Sequence, residues 1–289
     1  MRRAMQRVWL GVLVTACGTS VSSADGGGEG DAALVADAAA EDAGAEHDAA
    51  TGPRVFVHLR ATHEALTHDS ASRGQTPRAW TSGIRSLHLL RTEDDPDPML
   101  VFTHGDGYVE ASYADGADTI VGSAPLSALR EGTFTWARVV HTHVRFTVDA
   151  TLHSSLGTFP GEVDELIVLS DRTTVDGVTR ASGWYRYVFR TGGMAFPAEG
   201  SGFTVPPIPG GGFYARLEEG ETAYYFVAPL EVRDVGEDVH LIFEVNVHEG
   251  FRWLDRDEAG YEDGVFDTTP TGTEPVVQAG ANTYAYFLE

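Results

Sequence analysis

The chain has no lysine. All 20 of its basic residues are arginine, which excludes a Walker-A phosphate loop, a Ser-x-x-Lys nucleophile and any Schiff-base lysine. It has one cysteine in 289 residues, so no intramolecular disulfide can staple the fold, even in an oxidising compartment. Basic charge is scarce as well. Forty-three acidic residues give a net charge of −23, which argues against nucleic acid, because that binding depends on neutralising phosphates with Lys and Arg. No Gly-x-Ser-x-Gly elbow and no His-Glu-x-x-His motif occurs, so the common hydrolase and zinc-protease signatures are missing too. The apolar run Val8–Val14 is less than half of the roughly 20 residues a membrane-spanning helix needs.

That short run does have a context. Arg2, Arg3 and Arg7 precede Val8-Trp9-Leu10-Gly11-Val12-Leu13-Val14, and Thr15-Ala16-Cys17 follows. A basic segment, an apolar segment and a small residue before a cut make a secretory signal. An ordinary signal would not account for the only cysteine falling at its end. Val14-Thr15-Ala16-Cys17 resembles the lipobox of bacterial lipoproteins. The resemblance implies a signal peptide at 1–16, cleavage after Ala16, a diacylglyceryl group on the Cys17 thiol, and the lipid bilayer as a partner. One acyl chain binds a membrane marginally, whereas several on one residue anchor it firmly. Gly18 stands where inner-membrane-retained lipoproteins carry Asp, so the implied location is the cell envelope, at the outer membrane or cell surface. Losing residues 1–16 leaves 17 basic against 43 acidic residues, a net charge of −26.

Residues 17–52 form the next unit. Gly18 to Gly52 is almost wholly Ala, Gly, Ser, Asp and Glu, without Arg, and with Val21, Leu34 and Val35 as its larger apolar groups. So little apolar surface cannot offset ordering entropy, and the like charges repel, which predicts a disordered acidic tether. As a coil, about 35 residues reach roughly 30–35 Å.

Residues 53–289 read as β. In 136–148, Trp136, Arg138, Val140, Thr142, Val144, Phe146 and Val148 alternate with Ala137, Val139, His141, His143, Arg145 and Thr147. In 239–248, Val239, Leu241, Phe243, Val245 and Val247 alternate with more polar residues. A period of two predicts half-buried strands. Further strands are expected at 54–62, 84–91, 99–103, 107–113, 164–170, 179–190, 222–232 and 283–288, with a single helical turn near Ser123–Leu129 capped by Ser123. Short strands with polar turns predict an all-β, antiparallel sandwich of Ig-like or transthyretin-like form. The opening strand, the 132–140 segment Gly-Thr-Phe-Thr-Trp-Ala-Arg-Val-Val and the late Leu241-Ile-Phe-Glu-Val strand resemble transthyretin-like domains of bacterial surface lipoproteins. One compact unit is expected, with 155–162 the place where a subdivision would fall.

Three side-chain constellations stand out. Asp255, Asp257 and Asp263, with Gly260 between them, resemble the positions 1, 3, 9 and 6 of an EF-hand calcium loop. Position 12 is Phe266, with Asp267 one residue later, and the flanks look like strand. Calcium is the one cofactor this suggests. His141 and His143 on one strand, with His240 and His248 on the other, would offer imidazoles to zinc or copper if the two strands were neighbours. Trp184 and Trp253 are candidates for stacking on a ligand such as a sugar ring. Abundant carboxylates leave room for a glycosidase pair. The reading expected from all this is a lipid-anchored, non-enzymatic surface protein that binds an unidentified protein or glycan. A calcium-dependent carbohydrate-binding module is the alternative, and a hydrolase comes third.

Overall fold

The computed structural model describes residues 52–68, 72–203, 213–233, 236–258 and 260–289, together with the backbone of Val8–Trp9. Cys17, the rest of the signal segment, the tether and the Pro-rich stretch 204–212 lie outside the described residues. Among the described residues the chain is folded from strands, with one 3-10 turn at Leu126–Ala128. Ser123 does not cap that turn. It sits inside strand Asp118–Pro125, where its hydroxyl accepts from Arg54, and Pro125 holds the N-cap without a side-chain bond.

Two sheets make the sandwich. The smaller runs in the order Thr283–Leu288, Val239–Asn246, Arg54–Thr62, Asp118–Pro125, with Val8–Trp9 paired to the outside of Thr283–Leu288. Its pairs are antiparallel except one: 54–62 and 239–246 run parallel. The larger sheet is organised on one long strand, Gly132–Ser154. Ala79–Leu90 runs along one side of it. On the other side, Glu221–Val232 pairs with its first half, and Gly157–Val168 pairs with its second half. The stretch beyond Ser154, where a subdivision would have fallen, is a tight hairpin: Ser154 pairs with Gly157, and the two strands stay side by side back to His143 and Val168.

The core lies between the sheets. Val57, Leu59, Leu241 and Phe243 meet Ile84, Phe134, Ala137, Phe146 and Phe226 in one buried cluster. Each large side chain buried there contributes roughly 1.5–3 kcal/mol. The two strongly alternating strands therefore share a core, although they belong to different sheets.

The face assignment in 136–148 needs correction. Ile84 pairs with His141 and Gly83 with His143, so Thr142 is an extra residue, a β-bulge. The bulge sits where the long strand changes neighbours, and the Thr142 carbonyl accepts from both Leu169 and Ser170 amides, at 2.8 and 3.1 Å. An inserted residue flips every side chain beyond it to the opposite face. Before the bulge, Ala137, Val139 and His141 face the other sheet; after it, Val144, Phe146 and Val148 do. Val140 packs on the outer side with Leu90, Ala223 and Tyr225. Gly83 makes the bulge sterically feasible, since a Cβ there would lie 2.1 Å from Thr142 Oγ1 and 2.7 Å from His143 Nδ1.

Candidate functional site

The bulge positions a site. Between the sheets is a cavity of about 150 Å³. Val57, Leu59, Phe243, Val245 and Tyr284 close it from the smaller sheet; Ile84, Val139, Val144 and Phe226 close it from the larger. Its walls are thus mainly aliphatic and aromatic, as ligand pockets generally are.

One end is polar. Ser82, His141, Tyr113 and Tyr224 all reach the cavity. The Ser82 hydroxyl lies 2.8 Å from His141 Nδ1 and donates to the His143 carbonyl at 2.9 Å. A serine has one proton to give, so with that proton on the carbonyl, His141 Nδ1 must donate to Ser82. The neutral tautomer then leaves the Nε2 lone pair as an acceptor toward the cavity. Desolvation is the first cause holding His141 in that neutral form, with His143 adding to it, and its pKa falls from 6.5 to about 3. Tyr224 meets the His141 ring edge-on at 4.6 Å. Burial pushes the Tyr113 phenol up to about 12 and raises the Tyr224 phenol as well, so both remain protonated donors. The arrangement can hold an apolar body and make one or two directed hydrogen bonds at its end. Of these residues only His141 stood out in the sequence.

The four histidines proposed as metal ligands do not meet, because the strands that carry them lie in opposite sheets. His141 points into the cavity. His143, beyond the bulge, points to the outer face, 3.4 Å from Glu110 and edge-on to Tyr108. His240 lies on the outer face of the smaller sheet, bonded at 2.8 Å to His58 Nε2, while His58 Nδ1 is 2.7 Å from Asp118. His248 stacks on His68, with ring centroids 5.9 Å apart.

The acidic loop is also assembled differently from a calcium cradle. Asp255 and Asp263 do come together, but on a guanidinium: Arg73 donates to Asp255 at 3.0 Å and to Asp263 at 2.5 Å. Asp255 also accepts from the Gly264 amide at 2.9 Å, closing the loop on itself. Asp257 is exposed. Asp267 turns inward, fully buried, 2.6 Å from His153 Nε2 and accepting from the Glu262 amide at 3.1 Å. Buried Glu274 accepts from the Arg256 and Asp267 amides at 2.7 and 2.9 Å. The flanks are strands Phe251–Trp253 and Asp267–Thr269, as the sequence suggested. Neither tryptophan offers an open platform. Trp253 is 1% exposed inside the core, and Trp184 packs beside Leu166, Val168 and Val175 with the Arg180 guanidinium 4.1 Å over its ring.

No family model matches the chain, and no curated protein or solved structure matches it.

Proposed function

We propose that this chain is a lipid-anchored exported binding protein without catalytic activity, whose sandwich takes a small, mainly apolar molecule into the cavity between its sheets. The anchor rests on the lipobox-like Val14-Thr15-Ala16-Cys17, and the acidic segment behind it serves as the standoff from the envelope. Cleavage after Ala16 would also remove Val8–Trp9 from the sheet and leave Thr283–Leu288 as its edge.

The observation that carries the binding role is the cavity with an acceptor at one end. Nearby core residues are otherwise closely packed, with Ile84 and Val57 each 1% exposed. Apolar cavities of this volume accept benzene-sized molecules. The His141 acceptor favours such a molecule carrying one hydroxyl.

Thermal melts with benzene and with phenol test the reading. Both should raise the melting temperature, phenol more than benzene because its hydroxyl can donate to His141. Val144→Phe, which fills the cavity from the larger sheet, should abolish the response while leaving the fold at least as stable. A melting temperature indifferent to both compounds, or an undiminished response in Val144→Phe, would overturn the binding role.

A further inference from the structure

We propose a zinc site, separate from the cavity, formed by His68, His248 and Glu249. One ligand atom from each lies within 4.8 Å of the others, and all three residues are half-buried. The two imidazoles are stacked, only 10° from parallel. His68 Nε2 lies 3.9 Å from Glu249 Oε2 and is enclosed without a hydrogen-bond partner among the described residues. A buried imidazole nitrogen left unpaired costs about 1–3 kcal/mol, so its retention requires a reason.

His68 Nε2 is the enclosed nitrogen, and the neutral tautomer with its proton on Nδ1 offers a lone pair there. The Leu66 amide donates to His248 Nδ1 at 3.5 Å, the limit of a hydrogen bond, so zinc at this nitrogen would displace that weak contact. The Glu249 carboxylate is oriented by Arg252, which donates at 3.1 Å to Oε2, the oxygen that lies 3.9 Å from His68 Nε2. Glu249 is also held at φ +47, a region unfavourable for a side chain of that size, in the turn that closes at Gly250.

Two nitrogens and one oxygen suit zinc, whereas calcium takes an all-oxygen shell. With zinc about 2.0–2.1 Å from each donor, tetrahedral ligand atoms sit about 3.4 Å apart. From a spacing within 4.8 Å, the donors would draw together by up to about 1.4 Å, and the fourth position stays open to water. The site joins the chain leaving strand 54–62 to the turn after strand 239–246. It therefore fastens together the C-terminal ends of the parallel pair.

The test is zinc titration of the full chain, purified in detergent and stripped of metal with EDTA. Calorimetry should give one zinc per chain, and cobalt substituted for zinc should show the visible absorption bands of a tetrahedral site. His68→Gln and Glu249→Gln should each weaken binding at least tenfold, with circular dichroism unchanged. The proposal is overturned if there is no saturable one-to-one binding, or if His68→Gln binds zinc as tightly as the parent.

Discussion

Acid should weaken this fold through His141, by an amount that can be isolated. In the folded chain the imidazole lines the cavity, and desolvation draws its pKa down to about 3, against 6.5 for the ordinary group. Between those values the unfolded chain takes up a proton that the folded chain refuses. Stability present above pH 6.5 is therefore lost as pH falls toward 3. At about 1.4 kcal/mol per pH unit, the loss from this residue reaches roughly 3 kcal/mol at pH 4 and about 4.4 kcal/mol at pH 3. His88, whose pKa burial draws down to about 4, adds a similar slope, while the acidic surface loses self-repulsion on protonation and opposes it. Comparison with His141→Gln cancels both. Glutamine does not titrate, and its amide can still donate to Ser82. Urea unfolding of the two proteins from pH 7.5 to pH 4 should show the variant gaining about 3 kcal/mol on the parent across that range, or roughly 6–12 °C in melting temperature for a domain of this size. Parallel pH profiles would refute the placement of a neutral imidazole in the cavity wall.

Three other outcomes are expected. Glu165 shares the core-facing side of its strand with Val163 and Ile167, and burial pushes its carboxyl up to about 7. Because the fold favours the protonated acid, a penalty grows as pH rises from 4.5 to 7. Glu165→Gln should then stabilise by up to about 3 kcal/mol at pH 8 and by nothing at pH 4 in thermal melts. Gly83→Ala should cost more than about 2 kcal/mol, since its Cβ would meet Thr142 and His143 at the bulge; an unchanged denaturation midpoint would contradict that geometry. Cys17→Ser should yield a soluble or unprocessed protein, and persistence of the mutant in carbonate-washed membranes would count against the lipid anchor.

The fold class was legible because period-two patterning survives in most strands. Arg54–Thr62, Met99–Thr103 and Thr283–Leu288 lie where alternation or turn residues put them. Asp118–Pro125 and Met194–Gly200 were not anticipated, because Gly122, Pro197 and Gly200 interrupt any pattern there. The cavity was harder to read. Unbroken alternation from Trp136 to Val148 hides a bulge whose cause is tertiary, the exchange of one neighbouring strand for another at Thr142. Gly83 was the one sequence clue, since an isolated glycine beside a strand pattern marks a bulge or a close backbone approach. The carboxylate spacing at 255–267 misled for a different reason. It specifies a tight acidic turn, but Arg73, 182 residues from Asp255 in sequence, neutralises two of the four groups.

The parallel pairing of 54–62 with 239–246 has a bearing on when the chain can fold. His58 finds His240 182 positions later in the chain, and the strand on the far side of 239–246 is Thr283–Leu288, later still. A ribosome or a translocation pore delivers the first of these strands long before the other two. Until they emerge, Val55, Val57 and Leu59 lack the sheet that completes their core, and closing so long a loop is slow. The smaller sheet thus stays incomplete until Thr283–Leu288 has emerged, however early its first strand is made.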